Sequence, residues 1–389
     1  AQRLELGLQA LQLLCRKPAE DGLFACKGRE VPWMHLEVFR IFVELSPSAT
    51  STWFKIFPVK QSLWTLREAG TKEGRWATSG PLILQGVMLK EFKTIAEQIR
   101  ILETRGMRVG EEASTVLLRE NYYSIINGYK DPFLDKEAMQ SSADDVYLKG
   151  IRFEWLYSLF KFDRELRQIT FSYLIQAEAA LKTATVYAFC EKHQNCSDYL
   201  DRSSFCSARD MLTSKTFKGN KVAQHSKSIN KLMGILNKKL VVGPATRPFV
   251  EHYIATYGEV PLWVLSNDLT FGNMSHFFQL MKRGDQNSVC KHLFMATLRT
   301  KSDGRITPHQ VLRAYDVLTH FRNLCAHDER LYCAQVDNDD YATMLKLMEI
   351  ALPQDVVSEM KKDIERLLVK YSEELHVITA QDLRKQLGL

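Results

Sequence analysis

Residues 151–189 constrain the fold more than any other part of this 389-residue chain. Phe153, Leu156, Leu159, Phe160, Leu166, Ile169, Phe171, Leu174, Ala177 and Leu181 recur at helical spacing and supply wide apolar faces. A helix this apolar has to be packed against others, so the segment is expected to run inside a bundle. The charged run Phe162-Asp163-Arg164-Glu165-Leu166-Arg167 reads as a turn set between those faces.

Shorter helical segments flank it. Thr94 to Glu97 reads as a capping box, Ile95, Ile99 and Leu102 share a face, and Arg105-Gly106 stops that helix. A second helix covers Glu111–Leu118, and Gly128 and Asp131-Pro132 break the chain beyond it. Between them, Tyr122 and Tyr123 are expected in the core with their hydroxyls satisfied at its edge; stacking on bases is the rival reading. Val242-Gly243-Pro244 is a turn, and Trp263–Leu265 and Leu269–Leu280 read as apolar helix separated by Ser-Asn-Asp. Tyr341–Leu352 and Val356–Tyr371 form amphipathic helices broken at Pro353, with a last helix over Ala380–Leu387. No segment alternates convincingly as a strand, and no glycine loop suits a nucleotide. The expected fold is all-α, a helical bundle over 151–389 with a smaller helical N-terminal part over 88–150.

Residues 1–87 read differently. They hold Trp33, Trp53, Trp64 and Trp76 but little periodicity beyond an amphipathic patch at Leu4–Leu14, and turn-prone runs interrupt them repeatedly. Met88 opens directly into the helical part, so translation is expected to start there, with 1–87 an upstream extension that is poorly ordered or not native. The rival is an N-terminal arm whose aromatics bind a partner.

Composition narrows the function classes. At 45% apolar and 25% charged the chain is an ordinary globular protein, and its net charge of +6 permits an anionic partner without demanding one. No apolar run reaches membrane-spanning length and no secretory leader pattern is visible, so no membrane association is expected. Cys15, Cys26, Cys190, Cys196, Cys206, Cys290, Cys325 and Cys333 form no C-x-x-C pair, which fits reduced thiols in a cytoplasm. Cys190-x-x-His193-x-x-Cys196, with Cys206 beyond, resembles a metal site only at first sight. Tetrahedral zinc needs four convergent ligands, and i, i+3, i+6 positions splay around a helix, so no metal and no cofactor are expected. Lys215, Lys218, Lys221, Lys227 and Lys231, followed by Lys238 and Lys239, make the most basic stretch. It is either a phosphate-tracking surface for RNA or a solvated helix face.

The chemistry concentrates at 307–332. Thr307 is a good N-cap, Pro308 suits the first helical position, Gln310 completes a capping box, and Val311, Ala314, Tyr315, Leu318, Phe321 and Cys325 make one buried stripe. Its end carries Arg322, Asn323 and His327, followed by Asp328 and Arg330. A histidine can move protons near neutrality and an arginine can hold phosphate oxygens bidentately, and His327 and Arg322 are groups of those kinds. Asn323 is suited to orient the phosphate or the imidazole, and Asp328 and Arg330 either tune the histidine or cap the helix end. Arg322 and His327 lie roughly 140° apart around a straight helix. They meet on one ligand only if the helix ends between them or a second copy supplies the partner.

Arg322-Asn323-Leu324-Cys325-Ala326-His327 has the R-x-x-x-x-H form of HEPN ribonucleases. The longer run from Phe321 to Tyr332 resembles the signature of the bacterial abortive-infection (Abi) family, a HEPN branch. Blocks at 98–133, 162–167 and 252–275 resemble the same family in the same order, so the likeness runs from about Met88 to the C-terminus. It implies a HEPN-type helical core and a metal-independent endoribonuclease with a composite site across a homodimer. It also implies a toxin-like, anti-phage role in the bacterial cytoplasm, with an antitoxin protein or small RNA as a possible neutralising partner. Abi-like sequences usually carry a Glu where Glu178 stands, and Arg322 is its natural cationic partner; an exposed pairing with Lys182, where the family usually has Arg, is the alternative. The competing functional class is a catalytically silent HEPN module that binds RNA or an antitoxin, and a purely structural helical adaptor is the third.

Overall fold

The computed structural model describes the backbone of residues 23–26 and 29–32, and residues 91–389 apart from 143, 214–217 and 337. The chain divides into two compact units, Ala1–Met88 and Leu89–Leu389. In the first, β1 (Leu23–Cys26) and β2 (Arg29–Pro32) pair antiparallel, with Leu23 opposite Pro32 and Cys26 opposite Arg29. The sequence showed no strand here because four residues are too few to establish an alternation. The Leu4–Leu14 patch and the rest of 1–87 lie outside the described residues.

The second unit is all-α. Its helices are α1 (Ile95–Thr104), α2 (Glu112–Arg119), α3 (Phe153–Cys190), α4 (Lys221–Leu240), α5 (Pro248–Tyr257), α6 (Leu262–Leu265), α7 (Phe271–Leu280), α8 (Arg283–Ala296), α9 (Pro308–Ala326), α10 (Tyr341–Met348), α11 (Gln354–Tyr371) and α12 (Ala380–Leu387). Thr94 caps α1 with the expected box. Gly106, at φ 94°, turns the chain out while the Met107 N–H donates to Leu102 O at 3.0 Å, the signature of a Schellman end.

α3 is the axis of this unit. It runs 38 residues without a glycine or proline, about 57 Å at the ordinary helical rise, and packs against α6, α7, α8, α9 and α11. That surround explains its apolar breadth. The Phe162–Arg167 run is not a turn: it lies wholly inside α3, because Phe162 and Leu166 are buried and Asp163 and Arg167 pair one helical turn apart.

α8 escaped the sequence reading although it packs closely on α3. Its apolar stripe is only Val289, Cys290 and Leu293, and polar Asp285 and Gln286 fill the remaining buried positions. The Gln286 amide nitrogen donates to Phe278 O at 3.0 Å, while its buried side-chain oxygen has no hydrogen-bond partner among the described residues. Asp285 pairs with Lys192 at 3.1 Å and bonds His193 at 3.2 Å, and the His193 ring stacks on Phe189 at 4.2 Å. α3 stops at Cys190, so the Cys190, His193 and Cys196 spacing is not helical throughout as supposed. Tyr122 is half-buried against the core, but Tyr123 is 71% exposed, contrary to expectation. The π-helical winding of Tyr123–Asn127 turns Ile125 and Ile126 inward in its place.

Candidate active site

The helix that carries the arginine and histidine is α9. Its capping box forms as expected: Thr307 Oγ1 accepts from the Gln310 N–H at 3.3 Å, and Gln310 Oε1 accepts from the Thr307 N–H at 2.8 Å. Val311, Ala314, Tyr315, Leu318 and Phe321 are fully buried, which fixes how the helix is rotated. Tyr315 is anchored further by its hydroxyl, which donates to Leu181 O at 2.8 Å.

The C-terminal end is a Schellman motif without glycine. The His327 N–H donates to Asn323 O at 2.9 Å, and the Glu329 N–H reaches back to Leu324 O at 3.1 Å. Between them Asp328 takes φ 57°, a left-handed conformation that aspartate tolerates better than most residues. Its carboxylate is held from α3: Arg167 Nη2 donates a short hydrogen bond to Oδ1, and Arg164 Nη2 lies 3.4 Å from Oδ2.

Beneath this turn sits a buried polar hub. Asp163 is fully buried and accepts from the Leu331 N–H at 2.8 Å, the Tyr332 N–H at 2.7 Å, the Tyr129 hydroxyl at 2.7 Å and Arg167 Nη1 at 2.8 Å. Burial pushes its carboxyl above the ordinary range, and the Arg167 guanidinium, the two N–H groups and the Tyr129 hydroxyl oppose that shift. Arg167 also donates to Glu329 O at 3.2 Å. Arg330 turns the other way, donating to Gly128 O at 2.9 Å and to Asp131 at 3.0 Å. Asp328 and Arg330 are therefore committed to the scaffold that holds the helix end. The hub residues Tyr129, Asp163 and Arg167 were missed as a unit. The available signal was an aspartate and an arginine four residues apart inside an apolar helix.

Asn323 and His327, four residues apart, share the outward side of α9, half-buried and exposed respectively. Arg322 faces α3. Its Nε lies 3.4 Å from Glu178 Oε2, buried and without a hydrogen bond of good geometry. Glu178 Oε1 is 3.5 Å from Lys182 Nζ, and Lys182 donates to Leu269 O at 2.7 Å. Both pairings foreseen for Glu178 thus coexist. The helix proper ends at Ala326, but the bonded His327 N–H keeps that residue on the helical spiral. The separation of roughly 140° from Arg322 persists, and among the described residues no hydrogen bond or ion pair joins the two side chains. Cys325 beside them is a packing residue: burial pushes its thiol up to about 12, far from a nucleophile's range.

The lysines lie elsewhere. Lys215 is outside the described residues; Lys218, Lys221, Lys227 and Lys231 are exposed. Lys227 and Lys231 share the face of α4 opposite its buried Leu232, Met233 and Leu236, with Lys231 Nζ 3.2 Å from His276 Nε2. α4 packs on α7 and α7 on α9, so this face is two helices away from Arg322. Among the described residues, no cluster of His, Cys, Asp or Glu is placed to hold a metal ion, and no helix is long and apolar enough to cross a membrane.

The family model described as Abi-like protein matches residues 115–333, from inside α2 through the whole α9 end. The chain belongs to the Abi-like protein family. It is an abortive-infection-type protein on that ground. The match covers the Asp163 hub, Glu178 and the Arg322–His327 segment, and it is narrower than the likeness from Met88 to the C-terminus expected from the sequence. No curated protein and no solved structure matches the chain.

Proposed function

We propose that this Abi-like protein is a metal-independent endoribonuclease of the HEPN type, cutting RNA by attack of a 2′-hydroxyl on the neighbouring phosphate. The observation that carries the reading is the α9 end: His327 is exposed, yet the backbone on both sides of it is fixed by hydrogen bonds to α9 and to the buried Asp163–Arg167 pair. An imidazole held in that way is suited to take the 2′-hydroxyl proton or to protonate the leaving 5′-oxygen. Arg322 supplies a guanidinium for the phosphate oxygens, with Asn323 positioned beside the imidazole to orient the same group. Because Arg322 and His327 diverge within one chain, the working site combines the arginine of one copy with the histidine of another in a homodimer. The biological role is RNA cleavage that arrests growth in a bacterial cytoplasm during phage attack, restrained by an antitoxin protein or small RNA.

One observation favours a second reading. Glu178 already occupies Arg322, so the module binds RNA or a protein antitoxin without cutting if that ion pair persists in the complex.

The test is incubation of the full chain with end-labelled total RNA in EDTA, beside Arg322→Ala and His327→Ala. Cleavage by the wild type alone, leaving 2′,3′-cyclic phosphate ends, is expected, with a loss of at least about a hundredfold in either variant. Intact RNA in all three reactions, with RNA still retained by the protein, would leave the silent module.

A further inference from the structure

Along the solvent side of α3 the structure leaves a groove of about 620 Å³, walled opposite by α6 and the turn after it. None of the residues so far assigned to chemistry explains its rims. Trp263 and Tyr187 both line it and are 56% and 59% exposed, large aromatic side chains still open to water although the His292 ring meets Tyr187 edge-to-face at 4.9 Å. Small side chains at Ala179 and Thr183 give the groove its depth. Towards one end, after Ile175, stands Glu178, which also touches Arg322.

We propose that this groove takes a nucleobase of a single-stranded RNA, next to the phosphate that Arg322 holds; the proposal rests on the nuclease reading for that phosphate. Aromatic faces bind bases of any identity by stacking, because every base has a π-face. The walls add directional groups. Glu178 stands 3.5 Å from Lys182 and 3.4 Å from Arg322, both longer than an ordinary N–H···O bond, so its oxygens keep lone pairs for the N–H groups of a base edge. The Asn267 amide nitrogen donates to Trp263 O and Val264 O, at 3.2 and 3.1 Å, which leaves its oxygen as an acceptor at the groove. From Glu178 to Tyr187 is about 13 Å along α3, room for one nucleotide and the start of the next.

Charge distinguishes this occupant from a second copy of the chain. The core of a protein interface is depleted in charge, and a partner helix laid here would strand Glu178 and Lys182 away from water. A nucleotide instead brings N–H donors to Glu178 and an anionic phosphate to Arg322.

The experiment uses the full chain with His327→Ala, so that RNA is bound and not consumed, and hexamers of U, A, C and G as probes at one fixed salt concentration. Trp263→Ala and Tyr187→Ala are each expected to weaken binding by roughly tenfold, and Trp263→Phe to restore most of it. Tryptophan emission should be quenched by the hexamers in the parent and much less in Trp263→Phe. Sedimentation of the same variants is read alongside. Binding unchanged in Trp263→Ala overturns the proposal, as does a change of its oligomeric state, which would make the groove an interface between copies. If the wild type cuts no RNA but Trp263-dependent quenching persists, the nuclease reading fails and the base site stands. If it cuts RNA with no dependence on Trp263 or Tyr187, the base site fails and the nuclease reading stands.

Discussion

At the scale of single residues, the side chain with most depending on it is Asp163, which was never a candidate for chemistry. Its two oxygens serve four donors, two of them backbone N–H groups that belong to the segment just after His327. Asp163→Asn replaces one acceptor oxygen by a donor and leaves the buried Arg167 without its one fully buried counter-charge, with only the half-exposed Asp328 carboxylate beside it. We expect a loss of roughly 3–5 kcal/mol in a urea denaturation, the range for breaking one side of a buried pair. Asp328 makes the opposite case. Its left-handed backbone suits glycine, so Asp328→Gly exchanges lost ion pairs for relieved strain and should stay within about 1 kcal/mol of wild type. Asp328→Val, which adopts that backbone poorly, should cost more than the glycine variant in the same denaturation. Equal losses for the two would show that the carboxylate, and not the backbone, governs the turn. The residue types at the site were readable in the sequence, as were both partners of Glu178. What Asp328 and Arg330 do was not, because a helix end that borrows its ties from α3 and from Gly128–Asp131 depends on contacts far apart in the chain.

At the scale of elements, legibility followed local chemistry. α1 and α9 were found with their caps because Thr94 and Thr307 each begin a capping box that four residues reveal; α12 was found by its span, and the box that Thr379 begins was missed. α8 was not, because its buried face is completed by Asp285 and Gln286, whose burial makes sense only beside α3 and α7. Ion pairs tie some of the elements together beside the apolar core, and these carry a pH dependence. Arg164 makes two hydrogen bonds of 2.9 Å to Glu120 and holds that carboxyl below its ordinary range. Arg384 does the same for Glu365 between α11 and α12, and Ser158 with Lys161 for Glu374 beyond α11. A carboxyl depressed in the folded state stabilises fully above its unfolded value of about 4.3, and that contribution fades as the pH falls through the lower folded value. Stability should therefore fall from about pH 5 downward, and Glu120→Gln should flatten part of that slope in urea midpoints taken across the range. An identical slope in the variant would remove Glu120 from the account.

At the scale of the whole molecule, the proposed nuclease requires a divergent arginine and histidine to act together. α9 is held on its inner side by α3, α7, α8 and α10, so it cannot rotate to bring Arg322 round to His327 without dismantling the core. Two copies related by a twofold axis meet the requirement, since each site then draws Arg322 from one chain and His327 from the other. The arrangement makes a quantitative prediction for mixtures. Arg322→Ala and His327→Ala chains, each expected to be inactive alone, should form mixed dimers when unfolded and refolded together in equal amounts. Half the dimers are mixed, and each of those has one site with both native side chains and one with neither. Activity should therefore return to roughly a quarter of the wild-type rate per chain. A site complete within one chain predicts no recovery at any mixing ratio, because no chain in the mixture carries both residues. Recovery on refolding together, but not on brief mixing of the folded variants, would further show that the dimer forms before RNA is bound and exchanges its chains slowly.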